Sequence, residues 1–135
     1  MVQYRLSEAA ALLGVSDDTV RRWVAAGALA SARDAAGRQV VDGRELAGHA
    51  QAIAVTPEDP SGIARSARNR FVGLVTSILQ DTVMAQVEIQ AGPHRVVSLI
   101  SSEAVREMGL EVGSIAVAVV KATNVIVEAP EARGR

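Results

Sequence analysis

The chain has 135 residues, a net charge of −1, 49% hydrophobic residues and no cysteine. That is enough apolar side chain for one ordinary domain or two small ones, and it excludes a disulfide framework, thiol catalysis and Cys-ligated zinc. The near-neutral balance argues against a broad basic coat for nucleic acid or membrane, and aromatics at 2% argue against base stacking on single strands.

Met1 to Arg5 lacks the apolar stretch of a signal peptide, and no run approaches the ~20 residues of a membrane span. A soluble, cytoplasmic protein is expected. In chain order, Ser7 is the expected cap of a helix that stops at Gly14. Ser16 is the expected cap of a second helix through Thr19–Ala26, with Asp17 and Asp18 at the positive end of its dipole. Gly27 stops it. Arg33 to Val41 reads as a small hairpin turning at Gly37, and Asp42-Gly43-Arg44-Glu45-Leu46 opens a short third helix.

Helix, turn, helix, wing, helix resembles the winged helix-turn-helix of the MerR and excisionase families. The phrases "YRLSEAAALLGVSDDTVRRWVAAGAL" and "ARDAAGRQVV" carry that resemblance. It implies that the second helix enters the major groove of double-stranded DNA. Val20 and Val24 then face the core with Leu12 or Leu13, and Trp23 packs in the core or on the wing. Thr19, Arg21 and Arg22 are left to meet DNA, and Arg33 and Arg38 of the wing reach backbone phosphate. Charge does not point there by itself, because six arginines up to residue 49 are balanced by six acids.

Gln51 to Ala64 carries two prolines, a glycine and two acids, and reads as a linker. Strands follow over Phe71–Leu79 and Val83–Ala91. In the latter, Val83, Ala85, Val87 and Ile89 share a face, with Met84, Gln86, Glu88 and Gln90 opposite. His94–Ile100 is a third strand. Ser101 or Ser102 caps a helix over Glu103–Met108, closed by Gly109. A fourth strand carries Lys121, and a fifth ends near Glu128. The expected fold class is therefore α+β in two domains: a small winged helix-turn-helix, then a five-stranded β-barrel of the OB type. The expected boundaries are 1–50 for the first domain, 51–64 for the linker, 65–130 for the barrel and 131–135 for a tail.

Lys121 is the single lysine beside thirteen arginines. Apolar residues flank it on both pleat faces, so in mid-strand its ammonium needs a distant carboxylate or a bound anion. Near a strand end, it instead extends its head into water.

The second half resembles the molbindin (Mop) domain, the molybdate- and tungstate-binding module related to the TOBE domains of transporters. "SARNRFVGLV", "SLISSEAVREMGLEVGS" and "VVKATNVIVEA" carry the resemblance over about residues 65–129. It implies a tetrahedral dianion held between subunits by Ser66, the backbone of Ala67, Arg68, Lys121 and the backbone of Ala122. Ser101 comes from the neighbouring subunit, and Asn69 belongs to the motif as a loop-holding residue. Arg68 and Lys121 offset the charge, while hydroxyls and amides supply directional bonds. Related sequences often have serine where Ala104 and Ala122 stand here, and each lost donor costs about 1 kcal/mol.

The two resemblances together imply a regulator of transcription that responds to molybdate or tungstate. Such a chain has DNA and the oxyanion as partners and must self-associate, as a dimer or a hexamer. The alternative is an intracellular store or buffer of molybdate whose helical half serves assembly. His49 and His94 are isolated, and no phosphate-binding glycine loop or catalytic grouping stands out, so an enzyme is not expected.

Overall fold

The computed structural model describes residues 2–62 and 68–130. The chain divides into two compact units, Met1–Val55 and Thr56–Arg135, and the class is α+β.

The first unit opens with β1 (Gln3–Arg5), followed by α1 (Leu6–Leu13) and α2 (Asp17–Ala25). Arg5, rather than Ser7, occupies the cap position of α1: its backbone N–H donates to Glu8 Oε1 at 3.0 Å. Glu8 can reach back because it is the third residue of the helix, whereas Ser7 is already inside the first turn. Gly14 ends α1 in the left-handed region at φ 69°. Ser16 caps α2 as expected, its Oγ accepting from the Thr19 N–H at 3.2 Å.

The wing is β2 (Ala32–Arg33) and β3 (Gln39–Asp42), turning at Gly37. β1 pairs antiparallel with β3, Tyr4 opposite Val41, so the wing sheet has three strands in the order β1-β3-β2. A three-residue strand is too short to show a periodicity, which is why β1 was not legible. α3 (Gly43–Ile53) runs eleven residues, three of them within the Pro-rich stretch read as linker. Leu6, Ala9, Ala10, Val20, Leu29, Val41 and Leu46 form the core. Leu13, Val24 and Trp23 pack against it, while Leu12 is exposed. The Trp23 ring meets His49 of α3 edge-on, with centroids 4.4 Å apart.

In the second unit β4 (Asn69–Gln80), β5 (Met84–Ala91), β6 (His94–Ser101) and β7 (Ile115–Val120) form one antiparallel, curled sheet in the order β6-β5-β4-β7. The alternation read in β5 holds: Ala85, Val87, Ile89 and Ala91 are buried. Val83 is the exception, exposed in the turn before the strand. α4 (Ser102–Met108) sets Val105 into the same core as Val75 and Val87. At Gly73 of β4 a methyl group would lie 2.3 Å from the Gln90 carbonyl oxygen, so the crossing of β4 and β5 requires glycine.

Two expectations need correction. The sheet has four strands among the described residues, not five: Val125–Glu128 joins no ladder, and Ile126 and Val127 are largely exposed. Nor does Lys121 lie in mid-strand. β7 stops at Val120, and Lys121 caps a 3-10 turn, Ala122–Asn124, with its side chain in solvent. The chain turns there because the Lys121 carbonyl accepts from Asn124 N–H at 2.8 Å instead of continuing a ladder.

Candidate functional site

Ser66 and Ala67 lie outside the described residues. Arg68 is exposed and directly precedes β4. β4 and β7 pair from Asn69–Val120 onward through Arg70–Val119 and Phe71–Ala118. One step beyond the first pair on each strand stand Arg68 and Lys121. The ladder therefore ends one residue short of each of these two cations, which lie 53 positions apart in sequence. Residues two apart on a strand share a face. Arg70 pairs with Val119, which is exposed, whereas Ala118 packs into the core. By the same alternation Asn69 points to the other face. Ala122 is exposed in the 3-10 turn.

Ser101 is not brought to this group. It pairs with Met84 at the start of β5, beside the far end of β4, where Gln80 pairs with Ala85. The two ends of β4 are separated by on the order of 35 Å of strand. Ser101 Oγ accepts from the Ala104 N–H at 3.0 Å as the cap of α4, which leaves its O–H proton to donate elsewhere. The neighbouring Ser102 is wholly buried. Its Oγ donates to the Asp81 carbonyl at 2.8 Å, so its role is to tie α4 to the β4–β5 turn.

Arg70 was not singled out from the sequence. Its Nε donates to Asp59 Oδ2 at 2.5 Å and its Nη2 donates to Ser61 Oγ at 2.8 Å. The guanidinium holds the Asp59 carboxyl well below the usual carboxylate range. The signal was present, a second arginine two positions after the first and an acid in the Pro-rich stretch, but nothing in the sequence says that they meet.

Arg21 and Arg22 of α2 are exposed. Arg22 Nη2 donates to Thr19 Oγ1 at 3.1 Å, and Thr19 Oγ1 lies 2.9 Å from Ser16 Oγ, so three polar side chains line one edge of the helix. Arg21 reaches Asp18 at 3.4 Å. In the wing, Arg33 Nη1 donates to the Gly37 carbonyl at 2.9 Å and Arg38 Nε pairs with Asp34 at 3.1 Å. Each bond uses one of five guanidinium donors, so the rest can still meet phosphate.

Among the described residues no group of three His, Asp or Glu could hold a metal ion. No helix among them is long and apolar enough to cross a membrane.

Comparison with known proteins divides the chain in the same way. Residues 65–127 match the TOBE domain, and residues 4–47 match a helix-turn-helix domain. A probable molybdenum-pterin-binding protein of Haemophilus influenzae is 48% identical over 63 residues, 46% of this chain and 91% of that protein. Molybdenum-pterin-binding protein 2 of Clostridium pasteurianum is 38% identical over 63 residues, 46% of this chain and 93% of that protein. Among solved structures, the cytoplasmic molybdate-binding protein ModG, with molybdate bound, aligns at a TM-score of 0.50 and 39% identity. The alignment covers 56% of this chain and 55% of ModG.

Proposed function

Since the chain belongs to the TOBE (molbindin) family and carries a helix-turn-helix domain ahead of that module, we propose that it is a DNA-binding transcriptional regulator responsive to molybdate or tungstate. The observation that supports the reading is the β4–β7 register, whose first pair, Asn69–Val120, lies one residue from Arg68 on one strand and one residue from Lys121 on the other, both of them exposed. Two cations suit a doubly charged tetrahedral oxyanion, to which hydroxyls and amides of the motif supply directional bonds. Tungstate is almost the size of molybdate, so both ions enter.

The site is shared between copies of the chain. Arg68, Lys121 and Ala122 mark one end of β4, with Ser66 and Ala67 just before it in sequence, and Ser101 comes from the opposite end of a neighbouring copy. Self-association also has a place to occur. An apolar cleft of about 470 Å³ lies among Val87, Ile100, Met108, Ala116 and Val120 of β5, β6, α4 and β7, and the apolar Val125–Val127 stretch is exposed beyond β7. The helix-turn-helix favours a regulator over a store, because buffering needs no DNA-reading surface. Thr19, Arg21 and Arg22 meet the major groove and Arg33 and Arg38 the flanking phosphates.

The test is operator binding titrated with molybdate at fixed salt, with sulfate in parallel. An oxyanion coupled to DNA binding changes operator affinity by roughly 5–150-fold. DNA affinity that stays constant across saturating molybdate, in a protein shown to bind the ion, would remove the sensing function and leave storage.

A further inference from the structure

Arg70, Asp59 and Ser61 form a cluster that neither the oxyanion reading nor the DNA reading uses. We propose that it is a latch that braces the start of β4 beside Arg68 and couples the stretch carrying Asp59 and Ser61 to oxyanion binding. The inference rests on the proposed function and adds a regulatory element to it.

The latch is built locally and then closed at a distance. In Asp59-Pro60-Ser61-Gly62, proline fixes one φ and Gly62 takes the left-handed region at φ 60°. Asp59 Oδ1 accepts from the Ser61 N–H at 2.9 Å and from its Oγ at 2.7 Å, so the turn is held by its own side chains. Arg70 then clasps both residues with Nε and Nη2. Its side chain is 18% exposed, whereas in the other ion pairs among the described residues the arginine is more than half exposed. Charge-assisted, partly buried, two-pronged contacts of this kind specify geometry as well as energy.

Its position gives the latch a consequence for binding. It joins Ser61 to Arg70, which stand on either side of Ser66, Ala67 and Arg68 in sequence, and Arg70 is the second residue of the strand that Arg68 precedes. Bracing Arg70 holds the start of β4, two residues from Arg68, so less ordering is left for the ion to offset. If the closed latch favours the oxyanion, the oxyanion favours the closed latch by the same factor.

The experiment uses the full chain and molybdate itself. Calorimetry gives the affinity of wild type, Asp59→Asn, Ser61→Ala and Arg70→Lys, and amide hydrogen exchange follows residues 54–62 with and without the ion. Asp59→Asn and Arg70→Lys are expected to bind molybdate about tenfold more weakly, since lysine keeps the charge but not the fork. Molybdate is expected to slow linker exchange in wild type and not in Asp59→Asn. A brace without any link to the site would lower the melting temperature and leave the ion-dependent exchange intact, which overturns the proposal. Equal molybdate affinity in wild type and Asp59→Asn overturns the latch alone. A wild-type chain that takes up no molybdate overturns the oxyanion reading and the latch with it.

Discussion

Ser101 and Ser102 are chemically identical neighbours, yet the fold gives them opposite duties. Ser102 has no exposed surface. Its N–H donates to the Val83 carbonyl and its Oγ to the Asp81 carbonyl, both at 2.8 Å. Replacing it by alanine deletes one buried hydrogen bond without creating a large void. Ser102→Ala is therefore expected to cost about 1 kcal/mol in urea denaturation while leaving molybdate affinity unchanged. A loss of oxyanion binding without a loss of stability would reverse the assignment of the two serines. The sequence showed that one of them caps α4, but not which: both precede the helix, and only the Ala104 N–H geometry separates them. Lys121 taught the same lesson. Its apolar flanks are real, but a 3-10 turn rather than a ladder follows Val120, and no local pattern in the sequence announces that change.

At the scale of elements, alternation was the legible signal and edges were the illegible one. β5 could be read residue by residue, because one face is buried and the other is not. The fifth strand could not be judged, because whether Val125–Val127 pairs depends on a partner edge, not on its own composition. The β4–β5 turn carries a pH dependence that follows from its geometry. Asp81 Oδ1 accepts from the N–H groups of Met84 and Val83, both at 2.8 Å, and these bonds hold its carboxyl below its ordinary value. A depressed carboxyl contributes stability that is complete above its unfolded pKa of roughly 3.9 and is lost as pH falls through the lower folded value. Thermal denaturation between about pH 5 and 2 should show that loss in wild type. In Asp81→Asn the turn keeps an acceptor oxygen but does not titrate, so the slope of melting temperature against pH is expected to be shallower. Identical slopes would show that this turn is not acid-labile.

The wing permits a similar argument for DNA. Arg33 and Arg38 each donate one bond within the hairpin and present the remainder outward. Phosphate contacts carry no sequence information but release counterions. Arg38→Ala is expected to weaken operator and random DNA by similar factors and to reduce the slope of log affinity against log salt by about 1. A variant that changed sequence preference instead would place Arg38 on a base edge.

For the whole molecule, the decisive geometry is the length of β4. Arg68 and Lys121 stand at one of its ends and Ser101 beside the other, so a single copy cannot gather all three around one tetrahedral ion. Complementation can test this directly. Chains carrying Ser101→Ala and chains carrying Lys121→Ala should each bind molybdate poorly alone. When the two are unfolded together and refolded in equal amounts, a site built across copies draws Ser101 from one chain and Lys121 from another. If the copies mix at random, both residues are intact in about a quarter of such sites. Calorimetry should then recover roughly that fraction of tight sites, with native mass spectrometry confirming mixed oligomers. A site confined to one chain would recover none, because every chain in the mixture lacks one of the two residues.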